Sequence, residues 1–178
     1  MTASPASDID GRLAQGWGGH SPNGVHVNVL LARRGSPTAA AITTAFTSPR
    51  PGFTPILASL GESQQSYTTL NPPTVILSKS EAGPGMPETL VFGAAQVGIA
   101  QGVLDAVAQR LLDGNQDTVV FVSLWVDPGG DDETAVKSAA REATKRAVEE
   151  AVQGLSGDTV RRLVEARDTV THPFYGGE

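Results

Sequence analysis

Apolar and polar positions alternate most regularly in Val25-His26-Val27-Asn28-Val29-Leu30-Leu31. That is the period of a strand. It turns Val25, Val27 and Val29 to one face and sets His26 and Asn28 side by side on the other. Next comes Arg33-Arg34-Gly35-Ser36-Pro37, in which Ser36 can cap a helix and Pro37 suits its first position. A helix is predicted from there to about Phe46, ending before Ser48-Pro49-Arg50-Pro51-Gly52. Short strands are predicted over 54–60 and 74–80, the second placing Val75, Leu77, Lys79 and Glu81 on one face. Helical periodicity fills 87–112, with a bend or break near Gly93. The almost continuous apolar run at 119–126 predicts a central strand covered on both faces. Asp131, Asp132 and Glu133 then charge the start of a helix to about Gln153, whose alanines form a small-residue face suited to close packing. Beyond Gly157 the pattern predicts a short helix and an extended tail. Residues 1–24 are rich in Ser, Pro, Gly, Ala and Asp without sustained periodicity. They are expected to be a flexible N-terminal arm with Trp17 as a candidate anchor, ahead of a single α/β domain over 25–178.

Composition narrows the function classes. The chain has 178 residues, is 39% hydrophobic and only 5% aromatic, so aliphatic side chains must build its core. The net charge is −6, and the basic residues cluster no further than Arg33-Arg34 and Arg161-Arg162, so no nucleic-acid partner is expected. The absence of cysteine excludes disulfides, thiolate metal sites and cysteine nucleophiles. The N-terminus lacks a secretory pattern, and no stretch approaches the roughly 20 apolar residues of a membrane span, so a cytoplasmic protein without a membrane partner is expected.

Familiar site motifs are missing. Gly83-Pro84-Gly85-Met86-Pro87-Glu88 has neither the dinucleotide fingerprint nor a P-loop, and Gly154-Leu155-Ser156-Gly157 lacks the spacing of a nucleophile elbow. The acidic segment 127–133 lacks the ligand spacing of an EF-hand and reads as a turn and helix cap. Three widely spaced histidines give no metal site, and none is expected. His20 falls in the expected arm, and His172, followed by Pro173 and Phe174, reads as part of a tail that docks by packing. His26 stands apart. It lies mid-strand beside Asn28, and its imidazole can give or take a proton near neutral pH. A hydrogen-bonded structural histidine remains the alternative.

An ordered set of short motifs adds to this reading: Val25-His26-Val27-Asn28, Arg34-Gly35-Ser36-Pro37, Gly52-Phe53-Thr54, Phe92-Gly93-Ala94-Ala95-Gln96, Glu142-Ala143-Thr144 with Arg146-Ala147-Val148, and Thr171-His172-Pro173-Phe174. In order and spacing, across about residues 24–175, the set resembles the formaldehyde-activating enzyme family. The resemblance implies an α/β (α+β) fold like domain two of ribosomal protein S5, with a left-handed β-α-β crossover and a mixed sheet covered by helices. It also implies a homopentamer with clefts between subunits that bind tetrahydromethanopterin or a related reduced pterin as co-substrate. In the implied reaction, formaldehyde adds to one pterin nitrogen, the carbinolamine loses water, and a second nitrogen closes the methylene bridge. By this resemblance His26 is the general acid, and Asn28, Leu57, Lys79, Glu81 and Gln96 are pterin-binding positions.

Three of these positions depart from the family's pattern. Asn28 stands where aspartate is usual, Glu81 where threonine is, and Val97 where histidine is. An amide keeps hydrogen-bond geometry but carries no charge. Two functions therefore stay open: a formaldehyde-condensing hydro-lyase, and a non-catalytic relative that binds a pterin-like or carbonyl ligand, or formaldehyde, for sensing or storage.

Overall fold

A computed structural model describes residues 8–48, 50, 54–79 and 85–173. Gly52, Phe53, Glu81 and Phe174 lie outside the described residues. The elements in chain order are β1 (Leu13–Gly18), β2 (Val25–Arg33), α1 (Pro37–Thr47), β3 (Pro55–Leu57), β4 (Ser59–Leu60), β5 (Thr68–Thr69) and β6 (Thr74–Ser78). A helical turn, α2 (Met86–Glu88), leads through a π-helical stretch (Thr89–Ala95) into α3 (Gln96–Ala108). Then follow β7 (Thr118–Val126), α4 (Glu133–Gln153) and α5 (Gly157–Glu165). Five strands form one mixed sheet in the order β1-β2-β7-β6-β3, and β4 and β5 make a separate ribbon. The β6–β7 pair is parallel and is joined through the α2–α3 helical region; the other pairings in the large sheet are antiparallel. A mixed sheet covered by helices is the architecture the sequence leads one to expect.

The alternation in β2 works as read. Val25, Val27, Val29 and Leu31 are fully buried, and each meets an equally inward residue of β7: Val126, Leu124, Val122 and Val120. Together with Ile76 of β6 these side chains face α3 and α4, whose Ile99, Val103, Val136, Ala140, Ala143, Ala147 and Val148 complete the main core. Burying each aliphatic side chain of this size is worth about 1.5–3 kcal/mol. The caps are also as read: Ser36 Oγ accepts from Ala39 N, and Asp132 Oδ1 accepts from Thr134 N and Ala135 N. Arg141 of α4 reaches Asp105 of α3 through two bonds of 2.7 Å, fixing the register of the two helices. By length and composition the helical run Thr89–Ala108 is apolar enough to cross a membrane, contrary to the sequence reading, and just over half of it is buried inside the fold.

Two further expectations are corrected. The segment read as a flexible arm contains β1, which pairs antiparallel with β2 from Leu13↔Leu30 to Gly18↔Val25. Its sequence LAQGWG hides the strand because the inward positions are glycines pressed on α4: a Cβ on Gly16 would stand 2.0 Å from Ala143 O. The second correction concerns β7, which alternates between buried and half-buried residues instead of being covered on both faces. On its second face α1 covers only one end, where Ala39 and Ile42 pack with Leu30, Ala32, Val75, Val119 and Phe121. The other end of that face is open, and the candidate site lies there.

Candidate active site

The sheet register lays one cross-strand row over the open face: Trp17 of β1 opposite His26 of β2, and His26 opposite Trp125 of β7. Lys79 continues the row just past β6, where its backbone N–H donates to Leu124 O at 2.7 Å. The pleat therefore turns these side chains to the same side, and the long lysine chain crosses β7 to reach His26. Lys79 Nζ lies 3.0 Å from His26 Nδ1, and His26 Nε2 lies 3.1 Å from Gln15 Oε1. An ammonium only donates, so Nδ1 is the acceptor there. With Nδ1 accepting, a neutral ring carries its proton on Nε2, toward Gln15 Oε1.

These groups line a cavity of about 720 Å³ together with Ser21, Asp127, His172 and Pro173. Its walls are mostly carbon. Trp17 lies 5.7 Å from Trp125 and 6.2 Å from the His26 ring, all tilted, and Trp17 Nε1 donates to Gly19 O at 3.1 Å, fixing the indole. Asp127 brings a carboxylate, whose Oδ1 accepts from Gly129 N at 2.9 Å. Burial, then the Lys79 charge, then His172 hold His26 below the ordinary imidazole value, so it is neutral at neutral pH. Burial likewise lowers the Lys79 ammonium. The pair is a neutral imidazole gripped between an amide oxygen and a weakened ammonium, at the wall of an apolar cavity open to solvent. An imidazole held in this way can give or take a proton near neutral pH. Among the described residues no three His, Asp or Glu side chains gather to hold a metal ion.

The other residues singled out in the sequence lie elsewhere. Asn28 is exposed one pair along the same face, between Gln15 and Ser123. Leu57, on the edge strand β3, is 39% exposed, and its partner across the ladder is Val75. Gln96 begins α3, on the helix-covered side: Oε1 accepts from Ser59 N at 3.1 Å and Nε2 donates to Phe92 O. Neither Leu57 nor Gln96 lines the cavity. Conversely, Gln15, Trp125 and Asp127 line it without any signal in the sequence. His172, read there as a packing residue, lines it too.

The model of the formaldehyde-activating enzyme family (Fae) matches residues 17–175, a span that begins at Trp17 and takes in His26, Lys79 and His172. The chain belongs to this enzyme family. It is 32% identical over 158 residues to the 5,6,7,8-tetrahydromethanopterin hydro-lyase of Methanosarcina barkeri, across 88% of this chain and 85% of that one. It is also similar to two proteins named bifunctional enzyme Fae/Hps. With that of Archaeoglobus fulgidus it shares 28% identity over 85% of this chain and 37% of the relative. With that of Methanothrix thermoacetophila it shares 25% over 89% of this chain and 39% of the relative. The chain spans well under half of these bifunctional relatives, whereas the match to the Methanosarcina barkeri protein covers most of both chains.

Proposed function

We propose that the chain condenses formaldehyde with a reduced pterin of the tetrahydromethanopterin type, giving the methylene-pterin and water, as a cytoplasmic hydro-lyase. The observation that carries this reading is His26, held by hydrogen bonds at both ring nitrogens in the wall of an apolar cavity, in a chain of this family. Both nucleophiles of the reaction are pterin nitrogens, so the protein's share is to orient the reactants and handle protons. Trp17, Trp125 and Pro173 provide apolar surface for a heterocycle, and His26 Nε2 protonates the departing hydroxyl of the carbinolamine. A stopped-flow assay of methylene-pterin formation tests this, with tetrahydromethanopterin and tetrahydrofolate run in parallel and the spontaneous rate subtracted. Acceleration with either supports the reaction and chooses the pterin.

One observation favours a second reading, binding without turnover. The position beside His26 on the open face is Asn28, an amide that cannot support an imidazolium as a carboxylate does. A folded chain that accelerates neither condensation would favour that reading. If Asn28 limits the activity, Asn28→Asp is expected to raise the basicity of His26 and, with it, the condensation rate. A variant no faster than the parent removes that explanation.

The remaining positions support a homo-oligomer, pentameric if it follows the family resemblance. His26 and Lys79 lie at the cavity, whereas Leu57 is at the sheet edge and Gln96 is on the helix-covered side. One pterin meets both groups most simply in a cleft between two chains. Helix α5 buries no residue, and Val160, Leu163 and Val164 stand 47–59% exposed on it, a face for a neighbouring subunit. Light scattering at micromolar concentration should give five chain masses; a monomer would sink the shared cleft.

A further inference from the structure

A general acid must hold a proton when the hydroxyl departs, yet His26 is arranged to hold only one proton, on Nε2. Its Nδ1 faces the Lys79 ammonium at 3.0 Å, and a proton on Nδ1 would set two N–H donors head to head. An imidazolium would also place two cations together at an apolar wall. Among the described residues, the other charged or titratable groups lining the cavity are His172 of the C-terminal segment and Asp127 at the end of β7, while β1 contributes the neutral Gln15 and Trp17.

We propose that Lys79 is the proton source of the site, passing its proton through the two nitrogens of a permanently neutral His26 and recovering it when the ring closes. The proposal rests on the condensation reading above. In the first step the carbinolamine C–O bond breaks, and its oxygen takes the Nε2 proton and leaves as water. The pterin nitrogen's lone pair forms the iminium C=N bond. As Nε2 gives up its proton, Nδ1 takes one from Lys79, which becomes a neutral amine. The positive charge has moved from Lys79 to the iminium, and His26 has changed tautomer without changing charge. In the second step the other pterin nitrogen attacks the methylene carbon, forming the new C–N bond, and the C=N π pair returns to nitrogen. The attacking nitrogen's proton goes to the now unprotonated Nε2, and the Nδ1 proton returns to Lys79. Formaldehyde and two N–H groups have become the methylene bridge and water, with the protein restored and no other reagent consumed. The same atom, Nε2, is acid in the first step and base in the second. Proton transfer is easiest between groups of similar affinity, and burial weakens the hold of the Lys79 ammonium on its proton.

Two measurements test this on the full chain. Long-range ¹⁵N NMR of the imidazoles reads the resting state without any substrate. His26 is expected as the Nε2–H tautomer at pH 7; an Nδ1–H tautomer or an imidazolium there overturns the relay. The second is the pH profile of the background-corrected condensation. With the relay, the rate holds from pH 7 to 8 and falls only as pH rises through the Lys79 titration. In Lys79→Met the acid has to be the imidazolium, so the fall moves down to the imidazole's own titration. An imidazole of ordinary pKa is about 3% protonated at pH 8, and burial holds this one lower, so the loss there is at least about thirtyfold relative to acidic pH. Lys79→Arg keeps the charge and a donor but does not release its proton, and is expected to follow the methionine profile. Full rescue by arginine overturns the proposal. So does a loss that is equal at every pH, as a purely structural lysine would give, or a raised KM with an unmoved pH limb, as a simple pterin contact would give. A parent chain that accelerates no condensation while showing the Nε2–H tautomer refutes the reaction and the relay's use in it. Acceleration together with an Nδ1–H tautomer refutes the relay alone.

Discussion

Replacing His26 with alanine is expected to lower the background-corrected condensation rate about 10²- to 10⁴-fold, the range supplied by a positioned acid–base group. Pterin binding is expected to stay broadly intact. The fold tolerates the change because β2 divides its work between faces: Val25, Val27, Val29 and Leu31 carry the core, and His26 points away from them. A thermal melt close to the parent's checks that division. Binding can be followed at the site itself, since the chain has two tryptophans and both line the cavity, 5.7 Å apart. Quenching of their emission by the pterin should give similar affinities for parent and variant. Loss of a group that acts in the transition state lowers kcat and kcat/KM together while leaving ground-state binding. Free imidazole added to the variant should restore part of the rate, because the space left by the ring opens to the cavity between Gln15 and Lys79. Equal loss of affinity and turnover would make His26 a binding residue and not a proton donor.

How legible the site was depended on which face of each strand did the packing. In β2 one face is buried and the other polar, so the period of two displayed both, and His26 was readable with its direction. In β7 the same alternation was invisible. Its outward residues Phe121 and Trp125 are as apolar as the inward Val122 and Leu124, and a ligand wall of carbon looks like a second core in sequence. Trp125 was therefore missed, although its strand was found. Gln15 was missed, and Trp17 read only as an anchor in an arm, because the inward positions of β1 are Gly16 and Gly18, which carry no hydrophobic signal. Their need for glycine comes from α4, more than a hundred residues later. Lys79 was placed on the right face of its strand, but its contact with His26 is a tertiary fact, set by the parallel pairing of β6 with β7. Gln96 was singled out by the family resemblance alone, and its bond to Ser59 N depends on where β3 ends. The helix caps and the small-residue face of α4 were readable because their causes are local.

The glycines of β1 make the second large effect. Gly16→Ala is expected to destabilise the fold by about 3 kcal/mol, the upper part of the range for overpacking a fitted contact. The added Cβ would stand 2.0 Å from Ala143 O and 2.8 Å from its carbonyl carbon, where ordinary contact begins near 3.4 Å. The obstructing atoms are helix backbone, which has no rotamer to yield, so β1 or a turn of α4 must move by more than an ångström. For a chain of this length the change corresponds to a drop in Tm of roughly 6–12 °C. The movement also reaches the cavity. Gln15 and Trp17 flank Gly16 on the opposite face, and displacing β1 carries the acceptor of His26 Nε2 away from the ring. Tryptophan emission should change, and the catalysed rate should fall even at temperatures where the variant is fully folded. Gly157→Ala serves as the comparison, because nothing lies within 4 Å of its added Cβ, and it should be neutral or slightly stabilising. A Gly16→Ala chain that melts with the parent and keeps its emission would mean that β1 does not press on α4. The strand that supplies two walls of the cavity would then be held by its pairing with β2 alone.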